Sequence, residues 1–382
     1  DLQRAAIFCA LRESAAGPDP AAWPAELRDP ESDAVRAFAE EEASRVGFHV
    51  FLQWLADQQL ADVVARARAA GMAIGLYGDL ALGSAGGGAE VWSAPDAHAR
   101  GASLGAPPDD FSPTGQDWGL APLVPDPLTG AEVRHFADVL RATMHHFGAI
   151  RIDHVMGLRR GFWIPEGAAP IDGTYVDYPF DEMLAVVCLE SARAGCVVIG
   201  EDLGTVPDEI RDALAERGIL SYRVLWFEKD WDGDGVFRPP GVWPEQALAT
   251  ASTHDLPTIA GFWDGRDLVH RERLDLFPDE ETRERLSAER ERDRQLLVDR
   301  LRAEGLMGEE GDPAPADLRR AIHRMVLGSR SQLAVVQLED LLGDVEQANL
   351  PGTTSEHPNW CRRYRLPVED WSGSEEFRAL TD

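Results

Sequence analysis

Short apolar runs that close on a polar cluster recur along the chain and alternate with longer stretches of three- and four-residue apolar spacing. MAIGLYGDL (72–80) closes at Asp79, FGAIRIDH (147–154) at Asp153, and CVVIGEDL (196–203) at Glu201. LSYRVLWF (220–227), ALATASTHD (247–255), which reaches Asp255, and LAVVQLEDLL (333–342) complete the set. Runs this short read as interior strands, most clearly CVVIGEDL, which is β-branched at Val197, Val198 and Ile199 and closed by Gly and Pro. Between them, residues 49–70, 181–194 and 207–217 carry helical spacing, the last opening on Pro207 and an acidic first turn. Apolar strands alternating with helices predict an α/β fold, a parallel sheet covered by helices.

Residues 266–330 break the alternation. Arg and Glu dominate there and Leu is sparse, which predicts a solvated helical insertion before the last strand, within a domain that otherwise spans 1–382. Pro/Gly-rich connections at 105–130 and 164–180 are long enough to be functional loops. The residues before the Asp79 run read as helix or loop.

Charge narrows the partners. A formal net charge of −30 repels polyanions and excludes nucleic acid and anionic membranes. Lys229 is the sole lysine, and the Arg bias fits a GC-rich genome better than a salty habitat. No apolar run approaches the roughly 18 residues of a membrane span, and no basic-then-apolar leader opens the sequence, so cytoplasmic residence is expected. Cys9, Cys188, Cys196 and Cys361 form no CxxC pair and read as buried free thiols. The histidines form no HExxH, so neither a metal nor an organic cofactor is expected. Trp23, Trp54 and Trp243 read as packing residues.

The closing acids carry the chemistry. In a parallel α/β barrel the reacting groups come from the C-terminal ends of several strands. Arg151 and Asp153 are two apart and face one side of a strand. An arginine there favours an ionised carboxylate, so the pair reads as a held nucleophile or as a structural ion pair. Glu201, at an apolar strand end, is a carboxyl that burial can keep protonated, whereas Asp202 faces the other way and reads as structural. Asp255 is a third carboxylate, with His254 beside it as a core or supporting histidine. One acid and one nucleophile in different surroundings is the arrangement of a retaining glycosidase.

GAPPDDFSPTGQDWGLAP (105–122), RIDHVMGL (151–158), FWIPEG (162–167), GEDLGTVP (200–207), STHDLPT (252–258) and NLPGTTSEHPNW (349–360) follow one another along the chain. Together they resemble the amylomaltases, the 4-α-glucanotransferases of the α-amylase clan, from about residue 45 to residue 364. The resemblance implies a (β/α)8 TIM-type barrel and a retaining double displacement on α-1,4-glucans and maltooligosaccharides. It implies Asp153 as nucleophile, Glu201 as general acid and then base, and Asp255 as the group that steadies the transition state and the donor sugar. Arg151, His154 and His254 would support these three, and Asp79 would match the family's acid on an earlier strand, each a candidate substrate-binding residue. Asp109, Gln116 and Trp118 would line subsites under an overhanging loop, Trp118 by stacking on a sugar, with Asn349 and Trp360 as further candidates.

Family barrels have two strands and an N-terminal region before the strand that matches the Asp79 run. The chain is therefore expected to be the C-terminal part of a longer enzyme, lacking its first two strands and leaving the Asp79 strand and the last strand as unpaired edges. An α-amylase-type hydrolase would use the same carboxylates and differ in letting water compete. A non-catalytic glucan-binding remnant is the other alternative.

Overall fold

The computed structural model describes residues 2–378 apart from 15, 109–113, 126–129, 205, 309–310, 312, 354 and 376. The chain divides into two compact units, Asp1–Ile219 and Leu220–Asp382.

The first unit opens with helices α1 (Leu2–Glu13), α2 (Asp33–Glu41) and α3 (Ala43–Ala69), and no strand occurs among its described residues before β1 (Tyr77–Leu80). There follow β2 (Ser84–Ala85), α4 (Ala89–Ser93), β3 (Ala102–Ala106), β4 (Gln116–Ala121), α5 (Ala131–Met144), β5 (Ala149–Ile152), β6 (Arg160–Pro165), β7 (Thr174–Asp177), α6 (Phe180–Ala194), β8 (Val197–Gly200) and α7 (Asp208–Glu216). β1, β5 and β8 run parallel with β5 between the others, in a register that sets Arg151 beside Asp79 on one side and Ile199 on the other. The strands are shorter than their apolar runs, and β8 stops at Gly200, so Glu201 lies just past a strand end. Ile150, Ile152 and Val198 join Leu140 and Met144 of α5, Leu184 and Val187 of α6, and Ile210 and Leu214 of α7 in one buried core. Side chains this closed to water each contribute on the order of 1.5–3 kcal/mol.

β2, β4, β3, β6 and β7, in that order, form an antiparallel sheet. This corrects the reading of 105–130 and 164–180 as functional loops, since β4 and β7 lie within them. Antiparallel strands with one face in solvent alternate rather than run apolar, and β4 reads as a polar QDWGLA.

A separate aromatic cluster of Phe8, Leu11, Trp23, Val35 and Trp92 binds the N-terminal helices to α4. Trp23 and Trp243 are buried, but Trp54 is 53% exposed and is not a packing residue in the described chain. Phe48, Phe51 and Leu52 of α3 are exposed with it, because the buried positions of this helix are only Val46, Val64 and Ala67. The cysteines are free, but only Cys196 is buried; Cys361 is exposed and Cys9 and Cys188 are half-buried. No helix among the described residues is long and apolar enough to cross a membrane.

The second unit contains β9 (Leu220–Val224), β10 (Ala247–Thr250), α8 (Ile259–Asp264), α9 (Arg266–Arg273), α10 (Glu280–Ala303), α11 (Pro315–Leu327), β11 (Leu333–Val335) and α12 (Leu338–Leu342). β9, β10 and β11 are parallel, with the fully buried β10 between the others. Two apolar runs stop being strand part-way. LSYRVLWF turns into a 3₁₀ helix after Val224. LAVVQLEDLL gives way to α12, which has Glu339 and Asp340 in its first turn and a left-handed Gly343 at its end. Residues 266–330 are not solvated throughout: Leu297, Val298 and Leu301 of α10 and Leu318, Ile322 and Met325 of α11 are buried.

α8 starts on two side-chain acceptors. Thr258 takes the Gly261 amide and Asp340 Oδ1 takes the Ile259 amide at 2.6 Å, while Thr258 itself donates to the Asp344 carbonyl. Asp340 is wholly buried, and Oδ2 has no hydrogen-bond partner among the described residues. Burial pushes its carboxyl from the ordinary 3.8 up to about 7. The folded state then holds a proton that the unfolded chain releases, so this group's stabilisation is full below the unfolded value and is lost as pH rises through the folded one. Asp340→Asn keeps an oxygen for Ile259 and removes the charge. Its stability relative to the parent, followed by urea unfolding, is expected to rise between pH 4 and 7 by on the order of a few kcal/mol, then level off. A difference independent of pH would show that Asp340 does not titrate in this window.

Candidate active site

Arg151 is the centre of the first unit's polar cluster. It sits on the middle strand, 7% exposed, where its fixed fork can address two neighbours. Nη1 donates to Asp79 Oδ1 and Oδ2 at 2.8 and 2.9 Å, across the β1–β5 register, and Nη2 donates to Asp153 Oδ1 at 2.7 Å. The two carboxylates hold its pKa well above the usual guanidinium value despite the opposing effect of burial. Asp153 lies just beyond β5, with its amide on the Leu80 carbonyl and its side chain 37% exposed, so one face of the carboxylate is open.

Glu201 is 8% exposed. Its backbone is pinned both ways, the amide donating to Ile152 O and the carbonyl accepting from Val155 N. Oε2 accepts the His154 amide at 2.9 Å and Oε1 the Leu203 amide at 2.7 Å. His154 reaches it from a left-handed backbone (φ 46°, ψ 61°), a conformation rare for a residue with a Cβ. Desolvation raises the Glu201 pKa, with the two amides and Arg151 opposing it and Asp153 adding to it. Asp153 and Glu201 thus sit in contrasting surroundings, one ion-paired and partly wet, the other buried and held by neutral donors.

The His154 ring meets the Trp118 ring edge-on at 5.7 Å, and Trp118 Nε1 donates to Gln116 Oε1 at 3.0 Å. These two residues open β4, which packs against a bulge in β3 at Gly105. Only glycine fits there, since a Cβ would stand 2.0 Å from the Gln116 carbonyl oxygen. Trp118 and His154 line a cavity of about 210 Å³ together with Leu104, Phe162 and Tyr178. The first unit therefore brings together Asp79, Arg151, Asp153, His154, Glu201, Gln116 and Trp118. Asp109 lies outside the described residues. Asp202 is buried with Oδ2 3.3 Å from Arg211 Nε.

The second unit assembles Asp255, His254 and Asn349. Asn349 Nδ2 donates to Asp255 Oδ1 at 2.6 Å, and His254 Nε2 stands 3.2 Å from Asp255 Oδ2. The Asn349 amide donates to the His254 carbonyl, and Gln347 Nε2 donates to the Asn349 carbonyl at 2.6 Å. Trp360, 66% exposed, packs its ring 5.1 Å from His254. Sequence reasoning missed Gln347, and it missed the two amides that hold Glu201, since a backbone donor leaves no residue-type signal. It also missed a cluster of Glu90, His98 and His135 on the wall of the cavity.

A family model described as 4-alpha-glucanotransferase, glycoside hydrolase family 77, matches residues 1–368. The chain is 43% identical over 365 residues to a 4-alpha-glucanotransferase of Mycobacterium bovis, covering 95% of this chain and 49% of that protein. It is 41% identical over 351 residues to one of Haemophilus influenzae, covering 90% and 50%. The amylomaltase crystal structure from Corynebacterium glutamicum is similar to it with a TM-score of 0.86 at 33% identity, covering 99% of this chain and 53% of that one. The chain spans about half the length of the curated relatives it matches.

Arg151→Met separates the arginine's electrostatic part from its bulk. Without the guanidinium the Glu201 carboxyl is expected to titrate higher than in the parent, read by carboxyl-carbon NMR. The stability cost is expected to fall below the roughly 3–5 kcal/mol of a broken buried pair, because water still reaches Asp79 and Asp153. A Glu201 pKa unchanged or lowered by the substitution would contradict this account of the site.

Proposed function

The chain belongs to the 4-alpha-glucanotransferases of glycoside hydrolase family 77, and from that premise we propose that it transfers α-1,4-glucan segments between maltooligosaccharides by a retaining double displacement. The observation that best supports this reading is the contrast between Asp153, gripped by Arg151 with one face open, and Glu201, buried with a raised pKa. In the first step Asp153 attacks the anomeric carbon, and the proton of Glu201 passes to the departing glycosidic oxygen. In the second, the Glu201 carboxylate takes a proton from an acceptor hydroxyl, which attacks the same carbon and releases Asp153. The His154 and Leu203 amides suit the carboxylate between the steps and Glu201's burial suits the acid, so the group can serve as both.

Arg151 keeps Asp153 oriented and is itself anchored by Asp79. The reading gives Asp255, braced by Asn349 and His254, the donor sugar's hydroxyls. Trp118 offers a sugar its ring face, with Gln116 and Asp109 as neighbouring subsite residues. The (β/α)8 barrel belongs to the same proposal; such a barrel takes eight parallel strands, and the described residues hold three in each unit. Cytoplasmic residence is part of it too.

Incubation with maltotriose, with products resolved by chromatography, tests transfer. Glucose and a ladder of longer glucans are expected while reducing ends stay nearly constant. A steady rise in reducing ends would identify a hydrolase, and glucan binding without turnover a binding protein. Asp153→Ala and Glu201→Gln are each expected to lower the rate by at least about 10²–10⁴-fold with folding intact. With an activated glycosyl fluoride, Glu201→Gln should accumulate an adduct on Asp153; mass spectrometry placing it on Asp255 would overturn the assignment. Because Glu201 must be protonated for the first step, the alkaline limb of the pH–rate profile is expected above the ordinary carboxylate range.

A further inference from the structure

Glu90 on α4, His98 after it and His135 on α5 converge on one wall of the cavity. From their geometry we propose that they bind a divalent transition-metal ion of the zinc type. The three ligand atoms lie within 4.8 Å of one another. Around a tetrahedral zinc, ligands stand about 3.3 Å apart, so side-chain adjustments of roughly an ångström close the site.

The hydrogen bonding of His98 suits a metal ligand. His98 is 4% exposed, and its Nδ1 lies 3.0 Å from the Ala94 carbonyl oxygen, which accepts only if that nitrogen carries the hydrogen. Nε2 is left with its lone pair, the arrangement that metal-ligating histidines adopt. His135 Nε2 donates to Glu90 Oε1 at 2.9 Å, a hydrogen that a bound ion displaces, and Ser84 also hydrogen-bonds the Glu90 carboxylate and so serves as its outer partner. The His98 and His135 rings meet edge-on at 4.8 Å.

Two imidazoles and one carboxylate are the protein ligands of a zinc site that keeps a fourth position open, and imidazole disfavours calcium and magnesium. The cavity supplies room for that fourth ligand. An ion here ties α4 to α5 beside the cavity that His154 and Trp118 also line. Asp57, His145 and His146 also converge, but Asp57 and His145 are exposed, which makes that group a useful control.

The test titrates chelator-stripped protein with cobalt(II) alone and then with zinc(II) alone. One tightly held cobalt with the visible absorption of a tetrahedral site is expected, displaced by zinc, with a rise in melting temperature. Glu90→Gln, which keeps the side chain's shape and a hydrogen-bond acceptor, and His98→Ala should abolish both signals. Ser84→Ala should weaken binding by about 10-fold, and Asp57→Asn/His145→Ala should leave it unchanged. Absence of uptake at micromolar metal, uptake undiminished in Glu90→Gln, or loss only in the Asp57/His145 variant would each overturn the proposal. Because the readouts are spectroscopic and thermal, they stand apart from the transfer activity.

Discussion

A single buried guanidinium holds the first unit's site together. Arg151 occupies the middle of three parallel strands, and its fork engages an aspartate on the neighbouring strand and another two residues along its own. A charge in that position is tolerable only because two carboxylates answer it and both keep contact with water. Everything nearby is arranged around this constraint. Asp153 is oriented by it, and Glu201, one strand further, feels both the attraction of Arg151 and the repulsion of Asp153 while burial dominates. Two carboxyl groups from ordinary residue types stand in different surroundings by position alone, and burial raises the pKa of Glu201.

The second unit solves a different problem, the shaping of a loop at the end of a fully buried strand. The segment after β10 has no regular partner, so side chains distant in sequence hold it. Asn349 grips Asp255 from 94 residues away, and Asp340 accepts the first free amide of α8 from 81 residues away. Asp340 does so at the expense of its own solvation, and burial raises its pKa although the Ile259 amide works against that rise. Loops near functional groups are commonly braced like this, since their backbone donors and acceptors must still be satisfied.

The Glu90, His98 and His135 cluster shows where linear patterns lose their reach. A spacing rule finds ligands that share one helix or one knuckle. These three come from two helices and the segment between, and the antiparallel sheet that helps enclose them was itself illegible as alternating apolar runs. Gly105 has the same character, since only its neighbours across the sheet, the Gln116 carbonyl and Ile164, explain why no side chain is allowed there.

The sequence by itself determined the parallel strands, because continuous apolar runs between helical stretches have few other uses, and the acids at their ends, because a carboxylate closing a buried strand has few places to go. Asp79, Arg151, Asp153 and Glu201 were legible for that reason, as was Asp255 beside His254. Strand ends were less so: LAVVQLEDLL is apolar enough for one strand, yet turns helical after Gln337 because acids at a helix start and a left-handed glycine at its end settle the backbone. Trp54 misled in the other direction: outside every motif it read as a packing residue, yet it is exposed in the described chain. What tertiary structure alone decided is which groups lose water and which donors replace it. Burial, backbone amides at Glu201 and the tautomer of His98 depend on atoms brought close from far along the chain, and no residue-type pattern carries those distances.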